Sequence, residues 1–246
     1  LSRLQARQGE RAVALTQLDK STWRAECRGR AALVVSYLVY AFDPSVRAAF
    51  VDASRAFFNG TSVLLRVEGQ EDTPHGVAFG PLPRGWTSAT AMRRSGGMFV
   101  AADYDELVDH PFELGRFWRG RFDAHGVPHE FVVAGAWPGF DGERLLADTK
   151  KVCEAQIAFW HGANARARDV PFDRYVFMLN AVDEGQGGLE HRASTALVAP
   201  RRKLPRIGMA GEGGALDDGY ADLLGLISHE YFHTWNVKRL KPRELT

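Results

Sequence analysis

The sequence predicts an α+β fold, with a strand-rich part over residues 1–110 followed by a mixed part over residues 111–246. Three observations carry this expectation. The first part consists of short runs rich in β-branched and aromatic residues, separated by turn residues. Two long stretches of the second part, Asp141–His161 and the segment beginning at Asp217, space their apolar residues three and four apart, as helices do. The 246 residues are 45% hydrophobic and 25% charged, ordinary proportions for a globular chain of one large or two medium domains.

In the first part, Arg11–Leu18, Thr22–Cys27 and Ala32–Tyr40 read as strands with partial alternation. Asn59-Gly60 is a turn signal, and Ser62–Val67 after it reads as a further strand. Pro81, Pro83 and Gly85 punctuate a loop before Trp86. Short strands between turns describe a sandwich. The four acids of Phe99–Asp109 look like a cation site, but they alternate with apolar residues and lack calcium-loop spacing. Helix-capping aspartates in a loop are the better reading, with His110 as a loop residue.

In the second part, His129–Ala134 reads as a strand and Asp141–His161 as a helix. Its core positions are expected at Leu145, Val152 and Phe159, with Leu146 and Ile157. Tyr175–Asn180 is a short apolar strand. It leads to Gly187–His191, expected at the edge of a cleft, and then to Ala196–Pro200. Arg201, Arg202, Lys203 and Arg206 read as a solvated basic loop, with a substrate-facing rim as the sharper alternative. Gly208–Gly214 is glycine-rich but has no phosphate-loop ending, so it reads as a mobile loop.

The last helix carries the chemistry. Asp217 and Asp218 suit its N-terminus. Tyr220, Leu223, Leu224, Ile227, Tyr231 and Trp235 form its buried stripe, and Lys238–Lys241 with Pro242 mark its end. Within it stands His229-Glu230-Tyr-Phe-His233, the two-histidine zinc motif. Four residues advance a helix by about 400°, so both imidazoles leave one face, a turn apart, and can reach one ion. Glu230 sits about 100° round from His229, within reach of a water at that ion, as a general base would be. The bland alternative is two satisfied histidines beside a surface glutamate. The three-histidine extension of the motif fails, because Asn236 and Arg239 stand where glycine and histidine would be needed.

Ser228-His-Glu-Tyr-Phe-His-Thr-Trp-Asn-Val-Lys-Arg-Leu-Lys-Pro242 resembles the signature of the glycyl aminopeptidase family, family sixty-one of the metallopeptidases, in the thermolysin-like clan. Gly187-Gly-Leu-Glu-His-Arg-Ala-Ser-Thr195 resembles that family's second motif, and the likeness runs in order through Val35–Asp43 and Ala102–Asp109. The resemblance implies part of an N-terminal β-sandwich lacking its opening strands, then the first part of a thermolysin-like zinc peptidase domain. It implies one zinc held by His229 and His233, a third ligand beyond Thr246, and a preference for small N-terminal residues such as glycine or alanine. Glu244 is too close behind the helix to turn back as that ligand. The resemblance also gives Glu190 the substrate's α-ammonium to hold, and Gly187 and Gly188 room for the substrate backbone. Without it, Glu190 reads as a surface glutamate in a turn. His191 either lines the site or packs. Asn236 and Arg239 belong to the signature, and support of the histidine-bearing helix is the expected role of both.

On this reading the chain is a piece of a longer protein, truncated at both ends. It is expected to hold zinc weakly and to be inactive by itself, and a PDZ-like domain belongs to the missing C-terminal part. The expected partners are peptides with a free N-terminus. The net charge of +1 implies no nucleic-acid partner, and no apolar run reaches membrane-span length. Cys27 and Cys153 read as buried free thiols rather than a metal pair. Two rivals remain open: a metalloendopeptidase of the same clan, and a non-enzymatic module with a relict metal site.

Overall fold

The structure is a computed structural model describing residues 1–208, 217–241 and 243. The glycine-rich loop expected at Gly208–Gly214 falls almost wholly outside the described residues, as does Glu244. The chain forms two compact units, Leu1–Ala41 and Phe42–Thr246.

The first unit contains β1 (Ser2–Gln8), β2 (Arg11–Val13), β3 (Leu15–Gln17), β4 (Trp23–Ala25) and β5 (Leu33–Leu38). β2, β1 and β5 form an antiparallel sheet, and β3 pairs with β4. The strands expected around Arg11–Leu18, Thr22–Cys27 and Ala32–Tyr40 are therefore present.

The second unit begins with β6 (Ala49–Val51), β7 (Arg55–Phe58), α1 (Gly60–Val63), β8 (His75–Val77), β9 (Thr87–Ala89), β10 (Arg93–Ser95), β11 (Met98–Ala101), α2 (Tyr104–Val108) and β12 (Phe112–Gly115). Two antiparallel sheets, β10-β11-β8 and β6-β7-β12-β9, share an aromatic core. Phe112 of β12 stacks on Phe58 of β7 at 5.1 Å and meets Phe99 of β11 edge-on at 5.2 Å. This is the sandwich-like packing that short, half-buried strands favour. The strand expected at Ser62–Val67 is absent. Gly60 instead starts a helical turn laid against α2, where a Cβ would come 2.7 Å from the Val108 backbone. Asp103 caps α2 by accepting from the Glu106 N–H at 2.7 Å, as expected of the acids there. His110 is a loop residue, as expected, and is buried at 7% exposure.

The remaining elements are β13 (Trp118–Ala124), β14 (Val127–Ala134), α3 (Gly142–His161), β15 (Tyr175–Val182), β16 (Gly187–Glu190), β17 (Ser194–Pro200) and α4 (Asp218–Phe232). The five strands form one mixed sheet in the order β13-β14-β15-β17-β16, with β14, β15 and β17 parallel and both edge strands antiparallel. α3 makes the crossover that a parallel β14–β15 pair requires. The central strands read as nearly continuous apolar runs because the main core, shared with α3 and α4, covers them.

Asp141 caps α3 through the Arg144 N–H. The buried face of α3 runs through Leu145, Leu146, Thr149, Cys153 and Ile157, whereas Phe159 is 72% exposed and Val152 half-buried. The seven-residue spacing expected to define the core drifts about 20° per heptad in a straight helix, so it leaves the buried face by its second step. Cys153 is buried as expected, Cys27 is exposed, and neither is bonded. No helix among the described residues is long and apolar enough to cross a membrane.

Candidate active site

α4 is held by the stripe that the sequence marks. Tyr220, Leu223, Ile227 and Tyr231 are buried, as is Trp235 beyond the helix, while Leu224 is only half-buried. Asp217 caps it by accepting from the Tyr220 N–H. Burying that face commits the angular position of every other residue on the helix. It leaves His229 exposed and His233 half-buried, while Glu230 turns inward at 5% exposure.

The regular helix stops at Phe232, with His233 as its C-cap, rather than running to Lys241. His233 explains the stop. Its Nδ1 hydrogen bonds to the Asn236 carbonyl at 2.6 Å, and the Leu240 N–H pairs with Trp235 instead. A carbonyl accepts, so Nδ1 carries the proton and Nε2 keeps its lone pair for a ligand. Asn236 thus supports the histidine through its backbone, which is not the side-chain role that its place in the signature suggests.

The two Nε2 atoms stand 3.1 Å apart, with the rings nearly perpendicular at a centroid distance of 4.6 Å. Two ligands at about 2.0–2.1 Å from a tetrahedral zinc lie about 3.3 Å from each other, so the separation fits a shared ion. Ligand atoms of Glu190, Glu230 and His233 also lie within 4.8 Å of one another. One carboxylate oxygen of Glu230, Oε2, is buried and unpartnered. An orphaned buried acceptor is costly, and a metal-held water would supply what it lacks. The residues present therefore fit a zinc ion.

β16 brings the second carboxylate. It is an edge strand, as expected of Gly187–His191, and Glu190 at its end is half-buried. Gly188 lies directly against Glu230, so that a Cβ on it would overlap the carboxylate, whereas a Cβ on Gly187 would meet open space. Burial pushes the Glu230 carboxyl pKa up, opposed by His229 and reinforced by Glu190. Arg47 adds a further opposing charge.

Several residues beside the site carry no sequence signal of their roles. Asp109 accepts from the Arg192 N–H at 2.8 Å and pairs with Lys238 at 2.8 Å. Burial would push its carboxyl up, but the neighbouring His191 and the pair with Lys238 outweigh that and hold it well below the usual range. His191 is buried at 5% exposure and packs 3.6 Å from Asp109 rather than facing the cleft. Arg239 donates to the carbonyls of Arg192, Thr234 and Pro171. The basic cluster is solvated at Arg202 and Arg206, as expected, but three of its side chains are paired. Arg201 pairs with Asp183, Arg202 with Glu184 and Lys203 with Asp222, tying the loop before β16 to its surroundings.

Residues 1–116 match the family described as the Peptidase M61 N-terminal domain, and residues 222–246 that described as M61 glycyl aminopeptidase. Among solved structures, an aminopeptidase N family protein from Idiomarina loihiensis is 38% identical over 98% of this chain, with a TM-score of 0.89. The chain spans 40% of that protein's length. The fold is shared with an M1 zinc metallopeptidase from Deinococcus radiodurans at 13% identity and a TM-score of 0.53, over 97% of this chain and 55% of the other. It is shared too with Legionella pneumophila aminopeptidase A in complex with aspartic acid, at 13% identity and a TM-score of 0.51, over 95% of this chain and 29% of the other. No curated protein matches the chain.

Proposed function

The chain belongs to the M61 peptidase family, and from that premise we propose that it carries the metal-binding helix, the general base and the amine anchor of a zinc-dependent aminopeptidase. The substrates are peptides with a free N-terminus, from which small residues such as glycine or alanine are removed. One observation carries this reading: the His229 and His233 nitrogens lie 3.1 Å apart beside a cluster in which Glu190 and Glu230 meet His233.

His229 and His233 would hold zinc through Nε2. Bound there, the ion would polarise the scissile carbonyl and lower the pKa of a water toward about 7. A third protein ligand is needed. It is placed outside residues 1–246, on the part of the protein where the resemblance also puts a PDZ-like domain. Glu230 takes the proton of the attacking water and returns it to the leaving nitrogen, and its burial-raised pKa makes it the stronger base. Glu190 accepts charge-assisted hydrogen bonds from the substrate's α-ammonium. The free side of β16 offers backbone groups to an extended peptide. Residues 1–110 are proposed as the N-terminal domain and 111–246 as the catalytic domain, although β12 (Phe112–Gly115) joins a sheet of the first part and the sheet that carries Glu190 starts at Trp118, which moves the boundary toward residue 116.

The test uses the full-length protein containing this chain. Glu230→Gln should abolish turnover while leaving bound zinc in place, and full turnover in that variant would end the reading. A metalloendopeptidase needs no amine anchor, so Glu190→Gln separates the two. It should raise KM for a free-amine substrate, whereas an unaltered KM would favour the endopeptidase.

A further inference from the structure

Glu190 and His233 sit on different elements, and neither element fixes the other by itself. Glu190 ends an edge strand whose one β-partner is β17. The ladder with β17 stops at Glu190, so the end of the strand, unlike its middle, is placed by whatever holds the turn beyond it. Beyond Glu190 the chain turns at once, with the His191 N–H closing on the Ser194 carbonyl at 2.9 Å. Arg192, inside that turn, has both backbone polar groups gripped from outside it. Its N–H goes to Asp109 Oδ2 at 2.8 Å, and its carbonyl accepts from Arg239 Nη1 at 2.9 Å.

Both grips lead back to the segment that follows His233. Asp109 Oδ1 holds Lys238 Nζ at 2.8 Å, and the Lys238 N–H bonds to the His233 carbonyl at 3.0 Å. Arg239 belongs to the same segment and also donates to the Thr234 carbonyl at 2.7 Å. The Asp109 side chain is only 12% exposed, so its bond to Lys238 is partly shielded from water. We propose that Asp109 and Arg239 are positioning residues: gripping Arg192 by its N–H and its carbonyl, they set where Glu190 stands relative to His233. This rests on the reading of Glu190 as the amine anchor, and deepens it.

The expected kinetic signature follows. An asparagine at position 109 keeps one acceptor oxygen where two are used, so one grip must go. Glu190 then drifts from the substrate amine while the histidines, carried on α4, keep their ion. In the full-length protein, Asp109→Asn should raise KM for alanine p-nitroanilide about tenfold with kcat within about threefold, as expected for loss of an oriented charge-assisted contact. Bound zinc should be unchanged. Lys238→Met removes one arm from the outside and should give a smaller rise of the same kind, even if Asp109→Asn folds poorly.

A general loosening of the fold would act whether or not Glu190 is present. In a Glu190→Gln background Asp109→Asn should therefore add less than about twofold to KM, because both changes remove one function. Full additivity there, or an unaltered KM in Asp109→Asn and Lys238→Met, would overturn the clamp. If Glu190→Gln itself leaves KM untouched, the amine anchor falls and the clamp falls with it. If Glu190→Gln raises KM and Asp109→Asn does not, the clamp alone falls.

Discussion

Gly188→Ala is the sharpest perturbation that the site allows. Gly188 lies on β16 opposite Leu197, and its φ is outside the left-handed region, so the backbone does not demand glycine. Space does, because an added methyl would overlap Oε1, Cδ and Cγ of Glu230. Two things could yield. β16 is pinned by its ladder with β17, while the Glu230 carboxylate is the end of a flexible side chain, so the carboxylate yields. A base displaced by on the order of 1 Å costs about 100-fold in rate. Stability should scarcely suffer, since alanine in a strand is otherwise favoured over glycine by about 0.5–1 kcal/mol. In the full-length enzyme, Gly188→Ala should therefore lower kcat about 100-fold with zinc content and melting temperature close to wild type. Gly187→Ala is the control. Its methyl meets open space, so only an approaching substrate can feel it, and the change should appear in KM. A Gly188→Ala enzyme with kcat within about threefold of wild type would refute the placement of Glu230 as base.

Three further outcomes are expected. Burial lowers the His129 pKa from 6.5 to about 4, so the native state holds this ring neutral while the unfolded chain protonates it. Its contribution to stability is thus present above pH 6.5 and lost as pH falls toward 4, a decline of about 3 kcal/mol; urea titrations from pH 7 to 4 should show this one-proton slope, absent in His129→Phe. Glu113 holds Arg55 through two bonds of 2.9 and 2.6 Å in a buried pair, so Glu113→Ala should cost about 3–5 kcal/mol in urea denaturation, and Arg55→Met with Glu113→Leu much less. Asn236→Ala should leave zinc affinity within about twofold in a competition titration, because the contact to His233 is made by the backbone carbonyl.

What could be read from the sequence was local. The caps at Asp103, Asp141 and Asp217 follow from side chains bonding amides three residues on. The pairing of His229 with His233 follows from the pitch of one helix, and the edge position of β16 from its glycines and flanking turns. The misreadings have physical causes too. Phe159 satisfied a seven-residue spacing that a straight helix does not keep. Ser62–Val67 had strand propensity, but Gly60 removed the side chain that would have kept its backbone off α2. Asp109 looked like one more acid in a capping run. Its partner Arg192 lies 83 residues away, and no local pattern encodes a meeting set by tertiary packing.

The charges around Glu230 bear on which substrate suits the site. Two carboxylates, Glu190 and Glu230, lie in one small cluster with His233, and the charge of Glu190 makes ionisation of Glu230 harder. His229, His233 and Arg47 oppose that shift, but burial leaves the Glu230 pKa raised. An arrangement of this kind is stable in its charged form only if positive charge is brought to it. A divalent ion on His229 and His233 would relieve Glu230. On the proposed reading Glu190 meets the substrate's α-ammonium, and an internal stretch of polypeptide brings no such charge. A peptide that enters amine first brings one ammonium group, at the place where one is lacking. The proposed amine anchor thus suits an aminopeptidase rather than an endopeptidase. It also implies that a substrate whose N-terminus is acetylated should bind far more weakly than its free-amine counterpart, a difference that Glu190→Gln should largely erase.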